Sequence, residues 1–109
     1  MKSRALAEKQ MRDFFAGGGS LDLVVMAGRR ELARRSVPAS ADTWRLAGLT
    51  AANAGDLLIG PTAAGKADAV EVRQGSLVGY VAGLAKARDL EDGDLLSLGA
   101  GNLVFEEIL

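Results

Sequence analysis

The chain contains no cysteine and no histidine. Without cysteine there is no disulfide staple, no thiol nucleophile and no cysteine-liganded zinc; without histidine the usual general base and the commonest metal ligand are missing. A cysteine-free chain suits reducing and oxidising surroundings equally, so the redox compartment stays open. Long apolar runs are also lacking: Asp22, Asp56, Lys66, Asp68 and Lys86 interrupt every stretch that approaches the roughly 18 apolar residues of a membrane span. The first ten residues carry scattered charges and no apolar core, so no secretory signal is expected.

What is present is ordinary for a folded domain. The 109 residues are 49% hydrophobic and 25% charged, which places the chain far from the disordered class and within reach of one modest core. The charge is unevenly spread. Residues 1–45 hold nine Lys and Arg against five Asp and Glu, a balance of +4, and residues 46–109 hold four against nine, a balance of −5, which restores the net −1. Such a division is either matched inside one fold or used between copies. The doublets Arg29-Arg30 and Arg34-Arg35 are neither joined by a basic stripe nor interleaved with aromatics, so no nucleic-acid contact is expected.

Ser3 to Phe15 reads as a helix capped by Ser3, with Leu6, Met11, Phe14 and Phe15 as its apolar residues and Leu6, Gln10 and Phe14, together with Met11, sharing a face. Gly17-Gly18-Gly19-Ser20 ends it and reads as a hinge. The expected organisation is therefore an N-terminal helical arm over 1–16, a glycine hinge over 17–20 and a β domain over 21–109. After the hinge the period becomes two: Leu21 to Met26 and Glu31 to Val37 flank a turn at Ala27-Gly28-Arg29-Arg30 and form a hairpin candidate. Six more short strands are read at Thr43–Leu46, Asp56–Ile59, Asp68–Arg73, Leu77–Ala82, Leu95–Leu98 and Leu103–Ile108, with turns at Gln74-Gly75 and Asp92-Gly93-Asp94. The expected class is mainly β: a sandwich or barrel of about eight short strands with one N-terminal helix.

Three patterns invite a chemical reading. Gly60-Pro61-Thr62-Ala63-Ala64-Gly65-Lys66 spells GxxxxGK after an apolar run, yet Ala67 stands where a phosphate-binding loop needs a hydroxyl for magnesium, and the next residues alternate as a strand. A loop between strands is expected, with no nucleotide bound. Asp92-Gly93-Asp94 lacks the twelve-residue calcium-loop pattern and reads as a polar turn. Trp44 and Tyr80 could form a sugar-stacking platform, but Leu46, Val78 and Val81 beside them favour core packing. No serine has a histidine partner, and no catalytic residue, metal ligand or cofactor site is expected.

Read end to end, the chain resembles a group of small tailed-bacteriophage virion proteins. The resemblance rests on the opening helix and glycine link, on Leu21-Asp22-Leu23 through Gly28 to Leu32-Ala33, and on the stretch Leu49 to Ala54. It continues through Gly65 to Val78, with Val72-Arg73-Gln74-Gly75 at its centre, and ends with Asp89-Leu90, Gly93-Asp94 and Leu103-Val104-Phe105. The chain departs from the pattern by a shorter middle and a more basic first hairpin. The resemblance implies a non-enzymatic structural component of a phage particle, assembled in the host cytoplasm, decorating the capsid or attached to the tail or fibre. Its partners would be copies of itself and other virion proteins, with no nucleic acid, nucleotide or membrane bound. Leu6, Met11, Phe14 and Phe15 on the arm are the expected oligomer and partner contacts. Alternatives are a bacterial β-rich assembly or binding domain of a secretion or motor complex, and a small-ligand enzyme.

Overall fold

The computed structural model describes residues 3–109, and the protein is mainly β with a single N-terminal helix. Helix α1 (Arg4–Ala16) starts where Ser3 Oγ accepts the Leu6 N–H at 3.1 Å, and its outer face carries i,i+4 ion pairs between Arg4 and Glu8 (3.1 Å) and Lys9 and Asp13 (2.6 Å). Nine strands follow among the described residues: β1 (Ser20–Ala27), β2 (Arg30–Pro38), β3 (Trp44–Ala47), β4 (Thr50–Asn53), β5 (Leu57–Ile59), β6 (Gly65–Gln74), β7 (Leu77–Leu90), β8 (Leu96–Leu98) and β9 (Val104–Glu106).

The main sheet is antiparallel in the order β2-β1-β6-β7, beside a three-stranded sheet β3-β4-β9 and a two-stranded pair β5-β8. Both long hairpins turn on glycines with positive φ, Gly28 at 59° and Gly75 at 63°, a conformation that a Cβ would strain. The register explains the core. Leu23 lies opposite Val72, Val25 opposite both Val70 and Ala33, and Leu21 opposite Val37, so one face of the main sheet is apolar across three strands. That face meets Trp44, Ala51, Phe105, Ile59, Leu96 and Leu98 from the smaller sheets.

The helix closes this core. Ala7, Met11 and Phe15, spaced by four, are at most 1% exposed. Phe15 stacks on Phe105 (5.7 Å between centroids) and meets Trp44 edge-on (5.0 Å), while Phe14 meets Tyr80 edge-on (5.2 Å). All five aromatic residues thus form one cluster, and two of them come from the helix. The picture of a detachable arm is corrected by this packing. The buried stripe is Ala7, Met11 and Phe15; of the expected face Met11 is buried, while Leu6 and Gln10 are exposed and Phe14 is half-buried. Nor do the glycines act as a free hinge: the Gly18 N–H donates to Ala39 O and the Ala39 N–H to Gly19 O, each at 3.0 Å, which pins the link.

Candidate interaction surface

The GxxxxGK segment is a loop between β5 and β6, and it opens a strand where a phosphate-binding loop opens a helix. Its amides are engaged within the chain: Thr62 N–H donates to Asp94 O (2.9 Å), Ala63 N–H to Leu32 O (2.9 Å) and Ala64 N–H to Asp92 Oδ1 (2.8 Å). Asp94 in turn accepts the Glu91 N–H at 2.8 Å. The Asp92 carboxylate and the Asp94 backbone carbonyl therefore fasten the two loops together, the Asp94 carboxylate holds its own turn, and Thr62, 4% exposed, lies between them.

The most buried polar side chain is Asn53, 1% exposed at the end of β4. Its Nδ2 donates to Gly55 O (2.8 Å), Gly99 O (2.9 Å) and, at 3.3 Å, Leu98 O, while Oδ1 accepts the Leu103 N–H at 2.9 Å. One amide thus ties β4 to the loop between β8 and β9. Sequence reasoning passed over it, because an asparagine beside alanines and a glycine has the signature of an ordinary turn.

The outer face of the main sheet is covered by charge. Arg34 reaches Glu31 (2.9 Å) and Asp22 (3.3 Å), and Arg73 pairs with Glu71 (2.8 Å) and approaches Glu31 (3.9 Å). These long side chains lie over Val24, which is fully buried although it points away from the main core. The Arg34 hydrogen bond holds the Glu31 carboxyl below its ordinary range. Much of the basic excess of the first hairpin is thereby matched within the fold. Arg30 and Arg35 also donate inward, to Ala64 O and to Leu58 O (2.8 Å).

The two edges of the main sheet differ. On β2, Leu32 O accepts from the 60–66 loop, Arg30 and Arg35 reach across the edge, and Pro38 ends the strand. On β7, no strand pairs the side away from β6 among the described residues. From Leu77 to Ala85 there is no charged residue, and Leu77, Val78 and Val81 are 74%, 49% and 56% exposed. Farther along, the strand borders a groove of about 400 Å³ lined by Lys86 and Arg88 on β7 and by Leu98, Asn102, Leu103 and Val104 across from it.

The expected contact residues are distributed quite differently. Met11 and Phe15 are core, Phe14 is half-buried beneath Gly79 and Tyr80, and Leu6 alone is well exposed, at 46%. The helix face is consumed by its own chain, so Met11 and Phe15 reach no partner unless the core opens. Trp44, 1% exposed, is a core residue with no free face for stacking on a sugar, and its Nε1 has no hydrogen-bond partner among the described residues. Tyr80 is partly buried; desolvation, and secondarily the Glu107 charge, push its phenol above the ordinary range. No helix among the described residues is long and apolar enough to cross a membrane. Comparison with family models, with curated proteins and with solved structures returned no match.

Proposed function

We propose that the protein is a non-enzymatic structural component of a phage particle, acting through repeated protein–protein contacts at the capsid surface or in the tail. The observation that carries this reading is the exposed apolar stretch of β7: from Leu77 to Ala85 no residue is charged, three large apolar side chains are open to solvent, and no strand pairs the side away from β6 among the described residues. An edge of this kind is a template for main-chain pairing, which is how extended segments add to sheets in many assemblies. The engaged amides of the 60–66 loop and the capping roles of Asp92 and Asp94 support the same reading, since these groups serve the fold itself.

The test is a protein inventory of gradient-purified phage particles from the source of the sequence. Peptides of this chain recovered in fixed proportion to the other virion proteins are the expected result. Particles assembled from a genome that encodes the chain, yet lacking it, would overturn the reading.

A further inference from the structure

We infer that the groove between β7 and the loop joining β8 to β9 receives an extended acidic segment of a partner protein. The inference rests on the reading of the chain as a component that works through protein–protein contacts, and it names the chemistry of one such partner. The groove lies where two sheets fail to close on each other: β7 ends the main sheet, β9 ends the three-stranded one, and the two strands lie beside each other without a ladder between them. It is a gap between strand edges.

The lining of this gap carries an unmatched excess of donors. Residues 46–109 hold only four cations against nine acids, yet two of the four, Lys86 and Arg88, line the groove and no carboxylate does. The other two are accounted for: Arg73 pairs with Glu71 (2.8 Å), and Lys66 stands opposite Asp89 in the ladder of β6 with β7. Lys86 makes no ion pair or hydrogen bond among the described residues, and neither does the Asn102 side chain across from it. Arg88 gives one N–H to Ser97 O (2.8 Å), a neutral acceptor that leaves the other donors of the guanidinium unused. Glu106 and Glu107 follow β9 away along β4, opposite Thr50 and beside Leu49, and Asp56 is held by the Ala100 N–H (2.9 Å) outside the lining. Donors without acceptors call for an acceptor-rich guest, and a carboxylate is the strongest such group for a lysine and an arginine.

The shape calls for a chain. From Leu84 to residue 87, β7 has no register partner on β6, so its course there is set by the groove side as much as by the sheet. Leu84 to Arg88 covers about 13 Å at roughly 3.3 Å per residue, room for about four residues of an extended guest. The volume of about 400 Å³ lies at the small end of the roughly 300–1,000 Å³ of ligand pockets. Lys86 and Arg88, two apart, match acids two apart in such a guest, while Leu98, Leu103 and half-exposed Val104 face its alternate, apolar side chains. So short a contact binds weakly, with a dissociation constant on the order of micromolar to millimolar.

Amide nuclear magnetic resonance titration of the full chain with acetyl-Leu-Glu-Val-Glu-Leu-amide tests this. The signals of Lys86, Arg88, Asn102 and Val104 should shift together, and the affinity should exceed that for the Leu-Gln-Val-Gln-Leu peptide roughly tenfold. Sodium chloride raised from about 0.1 M to about 1 M should weaken the binding, which distinguishes this groove from the apolar stretch Leu77 to Val81. Lys86→Glu should abolish the shifts and favour the Leu-Lys-Val-Lys-Leu peptide instead, a reversal that loss of folding does not produce. Lys9→Gln, on the outer face of α1, should change nothing. Shifts scattered over other surfaces, equal affinity for the glutamine peptide, or indifference to Lys86→Glu would each overturn the inference. So would displacement of the peptide by an equal concentration of inorganic phosphate, which would reduce the groove to a general anion site. The particle inventory is a separate measurement. A chain found in particles whose groove ignores the acidic peptide sinks this inference and keeps the structural reading, whereas a groove that binds the peptide in a chain absent from particles does the reverse.

Discussion

Replacing Asn53 is the sharpest probe of how the small sheets are held together. Asn53→Ala removes an amide whose Nδ2 serves three carbonyls and whose Oδ1 satisfies the Leu103 N–H, at a site 1% exposed. Water cannot take its place without opening the loop between β8 and β9. Each buried group left without a partner costs about 1–3 kcal/mol; because Gly99 O keeps the Asn102 N–H and the bond to Gly55 O is only partly buried, about 3–5 kcal/mol in total is the reasonable figure. Against a usual stability of roughly 5–15 kcal/mol that is severe. Urea denaturation followed by far-ultraviolet circular dichroism should show a midpoint lower by about 2–3 M, taking a slope near 1.5 kcal/mol per molar.

Asn53→Asp separates hydrogen bonding from packing, because the shape is kept while two donors become acceptors facing carbonyls. At neutral pH it should destabilise at least as much as alanine. The buried carboxyl, surrounded by carbonyl oxygens, has its pKa raised on folding, so the folded form holds the proton more tightly and stability rises as pH falls through the raised pKa, levelling off below the usual carboxylate range. An Asn53→Ala loss under about 1 kcal/mol, or an Asp variant as stable as the parent at pH 7, would refute the assignment of Asn53 as the tie between β4 and that loop.

Other predictions bear on the helix and on the only tyrosine. A Cβ at Gly79 would collide with the Phe14 ring, so Gly79→Ala should displace the end of α1 and lower the thermal midpoint measurably, while Gly83→Ala, where a Cβ meets nothing, should be near neutral. Phe15→Ala should cost about 3–5 kcal/mol by emptying the centre of the aromatic cluster, and deletion of residues 1–16 should abolish the cooperative unfolding transition. Absorbance titration of Tyr80 should give a midpoint above the ordinary value of about 10 in the folded protein and a normal one in urea. Since the folded state retains the proton more tightly, the stability linked to Tyr80 is complete below pH ~10 and is lost as pH rises through the folded pKa.

Local signals carried most of the fold. The two long hairpins were readable from alternation and from Gly28 and Gly75, and the cap from Ser3, because turns and caps are decided by residues within a few positions of each other. Strand β4 was missed because Thr50-Ala51-Ala52-Asn53 has little strand propensity; its alanines are chosen by the close approach of α1 and the core. The far half of β7 was missed because Lys86, Arg88 and Asp89 resemble a loop, and the strand bulges away from β6 there, pairing again only from Arg88. The helix face was misread in part: Met11 is core as expected of that face, but Leu6 and Gln10 are exposed. Phe14 and Phe15 are adjacent, and only the tertiary neighbours Gly79, Trp44 and Phe105 determine which enters the core. The edge of β7 was legible as an apolar run, but its freedom was not, since a free edge is defined by the strand that fails to pair with it.

Two physical sources of self-association can be told apart by salt. Had the +4 and −5 halves drawn copies together, association would weaken as ionic strength rises and the Debye length falls from about 10 Å at 0.1 M to about 3 Å at 1 M. The structure places much of that charge in contacts within one copy: Arg34 with Asp22 and Glu31, Arg73 with Glu71 and Glu31. What it leaves exposed on β7 is apolar side chain and unpaired backbone. Burial of such surface is insensitive to screening and is strengthened by sulfate, which is excluded from protein surface. Association through the exposed stretch of β7 should therefore hold constant between 0.1 M and 1 M sodium chloride and tighten when sodium sulfate replaces chloride at equal ionic strength. An assembly that dissociates steadily with added sodium chloride would assign the contact to the charged halves and count against that stretch of β7 as the contact surface.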